Sequence, residues 1–182
     1  HKFGVRQRKL LSDKGGNNCD VLLMSATPIP RTLTMSIYGD MDVSIIREKP
    51  NNRKEVKTYS KLENKIEDII KFVKNEIKEG NQIFWVCPLI EESKKLDHQS
   101  SVNKYKYLNN IFPNKVALLH GKIENEEKEI ILNKFLNNEF SILVSTTIIE
   151  VGIDFPNANA IIIENANKFG LSQLHQLRGR VG

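Results

Sequence analysis

The residues best suited to chemistry lie in the last ten positions, Gln173-Leu-His-Gln-Leu-Arg-Gly-Arg-Val-Gly182, where Arg178 and Arg180 flank Gly179. A guanidinium is a planar, permanently charged fork whose donors match phosphoryl oxygens. The glycine between them allows a sharp bend, so the turn can bring such a fork to a nucleotide phosphate. A second stretch is Ser145-Thr-Thr-Ile-Ile-Glu-Val-Gly-Ile-Asp154. Its hydroxyls, Thr146 and Thr147 among them, can donate to nucleic-acid phosphate oxygens together with backbone N–H groups of the following turn. Gly152 permits close backbone approach, and Asp154 can accept from a ribose hydroxyl or hold an arginine. The structural alternative, a capped helix ended by Asp154, explains the hydroxyls but not the whole spacing.

Two shorter segments carry less. Leu118-Leu-His-Gly-Lys122 puts Gly121 and the cation Lys122 after an apolar run, where both can meet a phosphate. His120 has no carboxylate partner identifiable in sequence, so a structural role is expected of it. Ser25-Ala-Thr-Pro28 taken alone reads as a hydroxyl-capped turn from strand to helix, with Pro28 or Pro30 opening the helix. The chain has no Gly-x-x-x-x-Gly-Lys-Ser/Thr phosphate loop. Phosphoryl transfer needs a phosphate cradle, a carboxylate-held magnesium ion and a positioned water, and of these parts only the arginine side is offered here.

These segments need a scaffold that gathers strand ends. Short apolar runs at Val21–Met24, Ile83–Val86, Val116–Leu119, Ile142–Val144 and Ala160–Ile163 read as buried parallel strands. Leu62, Ile66, Ile69, Ile70, Val73 and Ile77 form a helical stripe that stops at Gly80; Ile130, Ile131 and Phe135 form another after Glu124. The alternation predicts an α/β fold, a parallel sheet with helices on both faces and the candidate residues at the carboxyl ends of its strands. The polar stretch Arg47–Lys54, with Pro50 disfavouring helix at Lys49, is expected to be a linker. Residues 1–46 would then close one α/β domain and residues 55–182 would form most of a second.

At 182 residues and 40% hydrophobic, the chain can bury a core. Its net charge of +5 is compatible with a polyanionic partner without requiring one. Cys19 and Cys87 lie in apolar surroundings without a Cys-x-x-Cys pair, so reduced buried thiols are expected and no metal site. There is no signal-peptide pattern and no apolar run long enough to cross a membrane, which predicts a soluble, cytoplasmic protein with no membrane partner.

On these residues the chain resembles the superfamily 2 helicases. His1 is similar to the last residue of an Asp-Glu-x-His box, Ser25 to Thr27 to the third helicase motif, Thr146 to Asp154 to the fifth, and Gln176 to Gly182 to the sixth. The resemblance implies two RecA-like domains of the P-loop NTPase type closing on ATP and Mg2+, with the magnesium ligands outside this chain. It implies that Arg180 is a finger on the γ-phosphate and that Gln176 supports nucleotide contacts. Gly152 and Asp154 would face the ribose, while Arg178 and Gly179 would have a lesser nucleotide role. Ser25 and Thr27 would couple nucleotide state to domain closure, and Thr146, with Thr147 beside it, would touch the DNA backbone.

Within the superfamily, Tyr38–Val43, Arg53–Tyr59 and Val86–Ser93 look like the helicases that remodel replication forks and Holliday junctions in recombination and repair. Forked or branched DNA is then the implied partner, with single-stranded-DNA-binding protein added by family analogy. Phe3–Arg8, Thr27–Thr32 and Phe169–Gln176 are shared with the transcription-repair coupling factor, a translocase that displaces stalled RNA polymerase, which is the alternative. A RecA-like nucleic-acid-binding module without ATP chemistry is a second. Both chain ends fall inside motifs on this reading, so the chain alone is expected to be inactive.

Overall fold

The computed structural model describes residues 55–88, 94–146 and 155–182, together with Lys14, Leu22, Met24, residues 44–46 and Glu48. The chain divides into two compact units, His1–Arg47 and Glu48–Gly182. The second contains, in chain order, α1 (Ile66–Lys78), β1 (Gln82–Val86), α2 (Lys94–Ile111), β2 (Val116–Leu119), α3 (Asn125–Leu136), β3 (Ile142–Ser145), β4 (Ala158–Ile163) and α4 (Leu171–Arg178). The four strands form one sheet in the order β2-β3-β1-β4, and all pairs are parallel. Four of the expected apolar runs are these strands. Of the run Val21–Met24 only Leu22 and Met24 are described, and both are exposed.

Every residue of the two central strands β1 and β3 is buried, which is why these strands read as unbroken apolar runs. Alternation along the strands then sorts the core into two layers. Ile83, Trp85, Ile142, Val144 and Val116 face α1 through Ile70 and Val73, α2 through Leu108, and Phe112 just beyond α2. Phe84, Leu143, Ala117 and Leu119 face Phe135 of α3, together with Phe155 and Val181. Phe84, Phe135 and Phe155 form an aromatic trio with centroids 5.4–5.6 Å apart and tilted or edge-on rings, the arrangement favoured by the ring quadrupole.

Helix α1 forms where the apolar stripe predicts it, with Glu67 and Asp68 in its first turn and Lys78 in its last, matching the helix dipole. It ends because Gly80 takes a left-handed φ of 83°, and the N–H groups of Glu79, Gly80 and Asn81 take up the carbonyls of Asn75, Ile77 and Glu76. The register pairs Ser145 with both Val86 and Leu119, and Val86 with Ile163, so all four strands finish level at one edge.

Candidate functional site at the carboxyl edge of the sheet

At the end of β2 the chain turns at once. The His120 carbonyl accepts from Ile123 N–H at 3.2 Å, and His120 Nδ1 accepts from Lys122 N–H at 3.3 Å. A ring nitrogen that accepts carries no proton, so the proton of a neutral His120 sits on Nε2 and the ring acts as a turn former. Gly121 and Lys122 are exposed. A Cβ at Gly121 would meet nothing within 4 Å, so no packing demands glycine there; its absence of a side chain leaves the turn open to an incoming group.

Next to this turn, β3 ends at Ser145 and Thr146, which are 0% and 4% exposed. Thr146 is therefore enclosed and presents almost no surface to a DNA strand in this structure. Thr147, Gly152 and Asp154 lie outside the described residues, as do Ser25 and Thr27.

A polar cluster that sequence reasoning missed stands where β1 and β4 end. Lys104 Nζ of α2 lies 2.6 Å from Glu164 Oε1, and the Cys87 thiol points to Glu164 Oε2 at 3.8 Å. The same ammonium lies 5.4 Å from the Trp85 ring centroid and 5.2 Å from that of Tyr107, within cation–π range. Burial, with the Glu164 charge adding to it, pushes the Cys87 thiol up to about 12, against a smaller opposing pull from Lys104. The thiol is thus protonated and unreactive at neutral pH, as expected for a buried cysteine in this position. Among the described residues no group of three His, Cys, Asp or Glu could hold a metal ion. No signal in sequence joins Lys104 to Glu164.

Helix α4 leads to the arginines. Gln173 Oε1 accepts from the Gly170 N–H at 2.9 Å and caps its start, while Leu177 at 1% and Val181 at 3% exposure anchor its end in the protein. Arg178 Nη2 donates to the Val56 carbonyl at 3.1 Å, so this fork holds the segment ahead of α1. Arg180 is half-buried, and its guanidinium has no hydrogen-bond or ion-pair partner among the described residues. Gln176 is also half-buried, one residue before the Leu177 anchor. The chain turns at Gly179 and Arg180, and Gly179 does so with φ of −70° and ψ of −2°, without the left-handed backbone that only glycine would favour. A Cβ there would lie 3.3 Å from the Gln176 carbonyl oxygen, in the last turn of its own helix. The two arginines, alike in sequence, thus differ in engagement.

Residues 64–182 match the model of the helicase conserved C-terminal domain. The whole chain is similar to proteins named ATP-dependent DNA helicase RecG: 51% identical to that of Bacillus subtilis, 50% to that of Thermotoga maritima and 54% to that of Aquifex aeolicus. It spans 27%, 24% and 23% of their lengths, about a quarter in each case. The helicase domain of Pyrococcus furiosus Hef also matches, at 25% identity over 65% of this chain and 23% of that one, with a TM-score of 0.43.

Proposed function

The chain belongs to the helicase conserved C-terminal domain family, and on that premise we propose that it supplies the second motor domain of an ATP-dependent DNA helicase that remodels forks and Holliday junctions in recombination and repair. The four-stranded parallel sheet with helices on both faces is a RecA-like α/β fold. The observation that carries the reading is about 50% identity to the RecG helicases across the full chain, with both arginines and the strand-end turns inside the matched length. ATP with Mg2+, when bound, would supply the phosphoryl group for hydrolysis, and the magnesium ligands would be contributed by residues other than those of this chain.

This chain's own part is charge and position. Arg180, free of protein partners among the described residues, is the finger that meets charge developing on the γ-phosphate. Gln176 supports nucleotide contacts, Gly152 and Asp154 take the ribose, and Gly179 and Arg178 shape the turn that presents the finger. Ser25 and Thr27 pass nucleotide state to domain closure. Gly121, Lys122 and Thr147 meet the DNA backbone, with Thr146, enclosed at the end of β3, next to Thr147 in the chain. The protein works in the cytoplasm, with single-stranded-DNA-binding protein as a partner of the intact helicase.

The test uses the intact parent, ATP and magnesium, on a synthetic fork and a Holliday junction without RNA polymerase. Unwinding of both is expected. Displacement of a stalled polymerase without unwinding of either substrate would replace this reading with that of a coupling translocase.

A further inference from the structure

We propose that Arg178 is a positioning residue that latches the segment ahead of α1 to the turn carrying Arg180, so that the setting of that segment regulates ATP turnover, a role that rests on Arg180 being the finger. Residues 55–62 form neither helix nor strand, and Val56 is the one among them that is not exposed. Its side chain packs against the core layer that contains Val181, and its carbonyl accepts from Arg178 Nη2 at 3.1 Å. Arg180 is therefore flanked on one side by the arginine that holds the Val56 carbonyl. On the other stands the valine whose core layer holds the Val56 side chain.

A basic residue in the last turn of a helix often serves the helix's own carbonyls or its dipole. In α4 those carbonyls have nearer partners: His175 accepts from the Gly179 N–H at 3.1 Å and Leu177 from the Arg180 N–H at 3.0 Å. The Arg178 fork instead leaves its helix and donates to a carbonyl 122 positions earlier, with the added strength of a charged donor. The bond from Arg180 to Leu177 also closes a turn that contains Arg178, so a shift of one backbone carries the other with it.

The segment itself has few other holds. Among the described residues, the Val56 and Leu62 carbonyls are the only polar groups of 55–62 with a partner, the second accepting from the Lys65 N–H at 3.0 Å just before α1. Lys57 to Lys61, between them, are exposed. Val56 is thus the upstream anchor of a stretch that directly follows the polar residues 47–54 in sequence. Coupling between two places is reciprocal, so a segment that steers the finger is itself held more firmly when the finger engages a nucleotide.

The experiment uses the intact parent with ATP, magnesium and a saturating synthetic fork. Arg178→Ala should lower kcat about tenfold, the scale of a slightly misplaced catalytic group, while KM for ATP and the Kd of a fluorescent ATP analogue stay within about twofold. Arg178→Lys, which can still donate to the carbonyl, should restore most of that loss. Val56→Ala loosens the other hold and should lower kcat about threefold, again without weakening nucleotide binding. In an Arg180→Ala background, Arg178→Ala should cost nothing further, because it acts through the finger. Tryptic cleavage after Lys57 and Lys61, followed by mass spectrometry, should slow about fivefold when a non-hydrolysable ATP analogue binds the parent, and should not slow in Arg178→Ala. Weaker nucleotide binding with kcat unchanged would make Arg178 a nucleotide contact and overturn the proposal. Unchanged kcat with only a lower unfolding temperature would do the same, as the mark of a structural hold, and so would cleavage in the parent that ignores the nucleotide. If Arg180→Ala kept the parent's turnover, the finger reading would fall and this role with it; if Arg180→Ala lost turnover and any of the three contrary results appeared, this role alone would fall.

Discussion

At the amino edge of the sheet the chain turns tightly and side-chain hydrogen bonds close its turns, whereas at the carboxyl edge the described turn at Gly121 and Lys122 is left exposed. The amino-edge connections are residues 79–81, 112–115 and 137–141. Gly80, Asn114 and Asn138 there take left-handed φ values, the conformation that closes short turns with little steric cost for glycine and asparagine. Side chains complete the closure: Asn159 donates to Asn81, Asn81 to Glu76, and Asn157 to Asn138. Gln82, 3% exposed, donates from Nε2 to the Phe135 and Phe140 carbonyls. At the carboxyl edge the described residues that follow the strands are 87–88, 120–124, 146 and 164–170. The amino edge is tied by side chains, and the carboxyl edge holds the exposed turn proposed to meet a phosphate.

The largest effect that would break this division is at Arg180. Arg180→Ala in the intact parent should lower turnover of ATP on the order of a thousandfold, about 4 kcal/mol of barrier, while nucleotide binding stays nearly unchanged. Arg178→Ala should cost far less turnover, because that fork is spent on the Val56 carbonyl. Steady-state ATPase rates beside equilibrium binding of a fluorescent nucleotide separate the two. Equal losses in both variants would remove the distinction between a free and an engaged arginine. At the opposite edge, Gln82→Ala removes both bonds from β1 to the Phe135 and Phe140 carbonyls and should destabilise the domain by about 2 kcal/mol with turnover per folded molecule unaltered. Faster hydrogen exchange in β1 and α3 is the measurement, and unchanged protection there would mean that the amino edge does not depend on this side chain.

That contrast also explains what could be read in advance. The runs Ile83–Val86 and Ile142–Val144 were legible because burial on both faces leaves no polar residue inside them, and Val116–Leu119 and Ala160–Ile163, buried or half-buried throughout, because they too are unbroken apolar stretches. The stripe of α1 was legible for the same reason, on one face only. Helix α2 was not, since its buried residues include Ser101 beside Leu108 and the rest of it is rich in Asn, Ser and Lys, so no apolar period stands out. The types of the site residues could be read, but not their engagement. Arg178 meets a carbonyl 122 positions away in sequence, Thr146 is enclosed by packing, and Glu164 finds Lys104 from another element. Such facts exist only once the sheet order is known.

A smaller effect sharpens the picture within the carboxyl edge, where Cys87 belongs to the structural part. Its folded thiol titrates at about 12 and an unfolded one near 9.0, so the folded state keeps its proton after the unfolded state has lost it. Its contribution is therefore fully present below pH 9 and is lost as pH rises toward 12, by up to about 1.4 kcal/mol per pH unit. Local stability from hydrogen exchange at pH 8, 9.5 and 10.5 should fall more steeply in the parent than in Cys87→Ala. Parallel curves would show that the thiol is not held protonated by burial beside Glu164.

The smallest effect concerns Lys122, and it tests whether the two edges differ in what they bind. Lys122 enters its turn through its N–H, bonded to His120 Nδ1, so replacing the side chain leaves the turn intact. Lys122→Gln should weaken fork binding several-fold at low salt and make the slope of log affinity against log salt shallower by about 0.9, the share of one lost phosphate contact on duplex DNA. The loss should vanish as salt rises, because the released counterions are what that contact contributes. Lys78→Gln removes the same charge from the amino edge and should leave the slope where it was. Anisotropy titrations of one fork at four salt concentrations would compare the three proteins. Equal slope changes in the two variants would mean that DNA responds to the net charge of the domain, and Lys122 would leave the proposed DNA contacts.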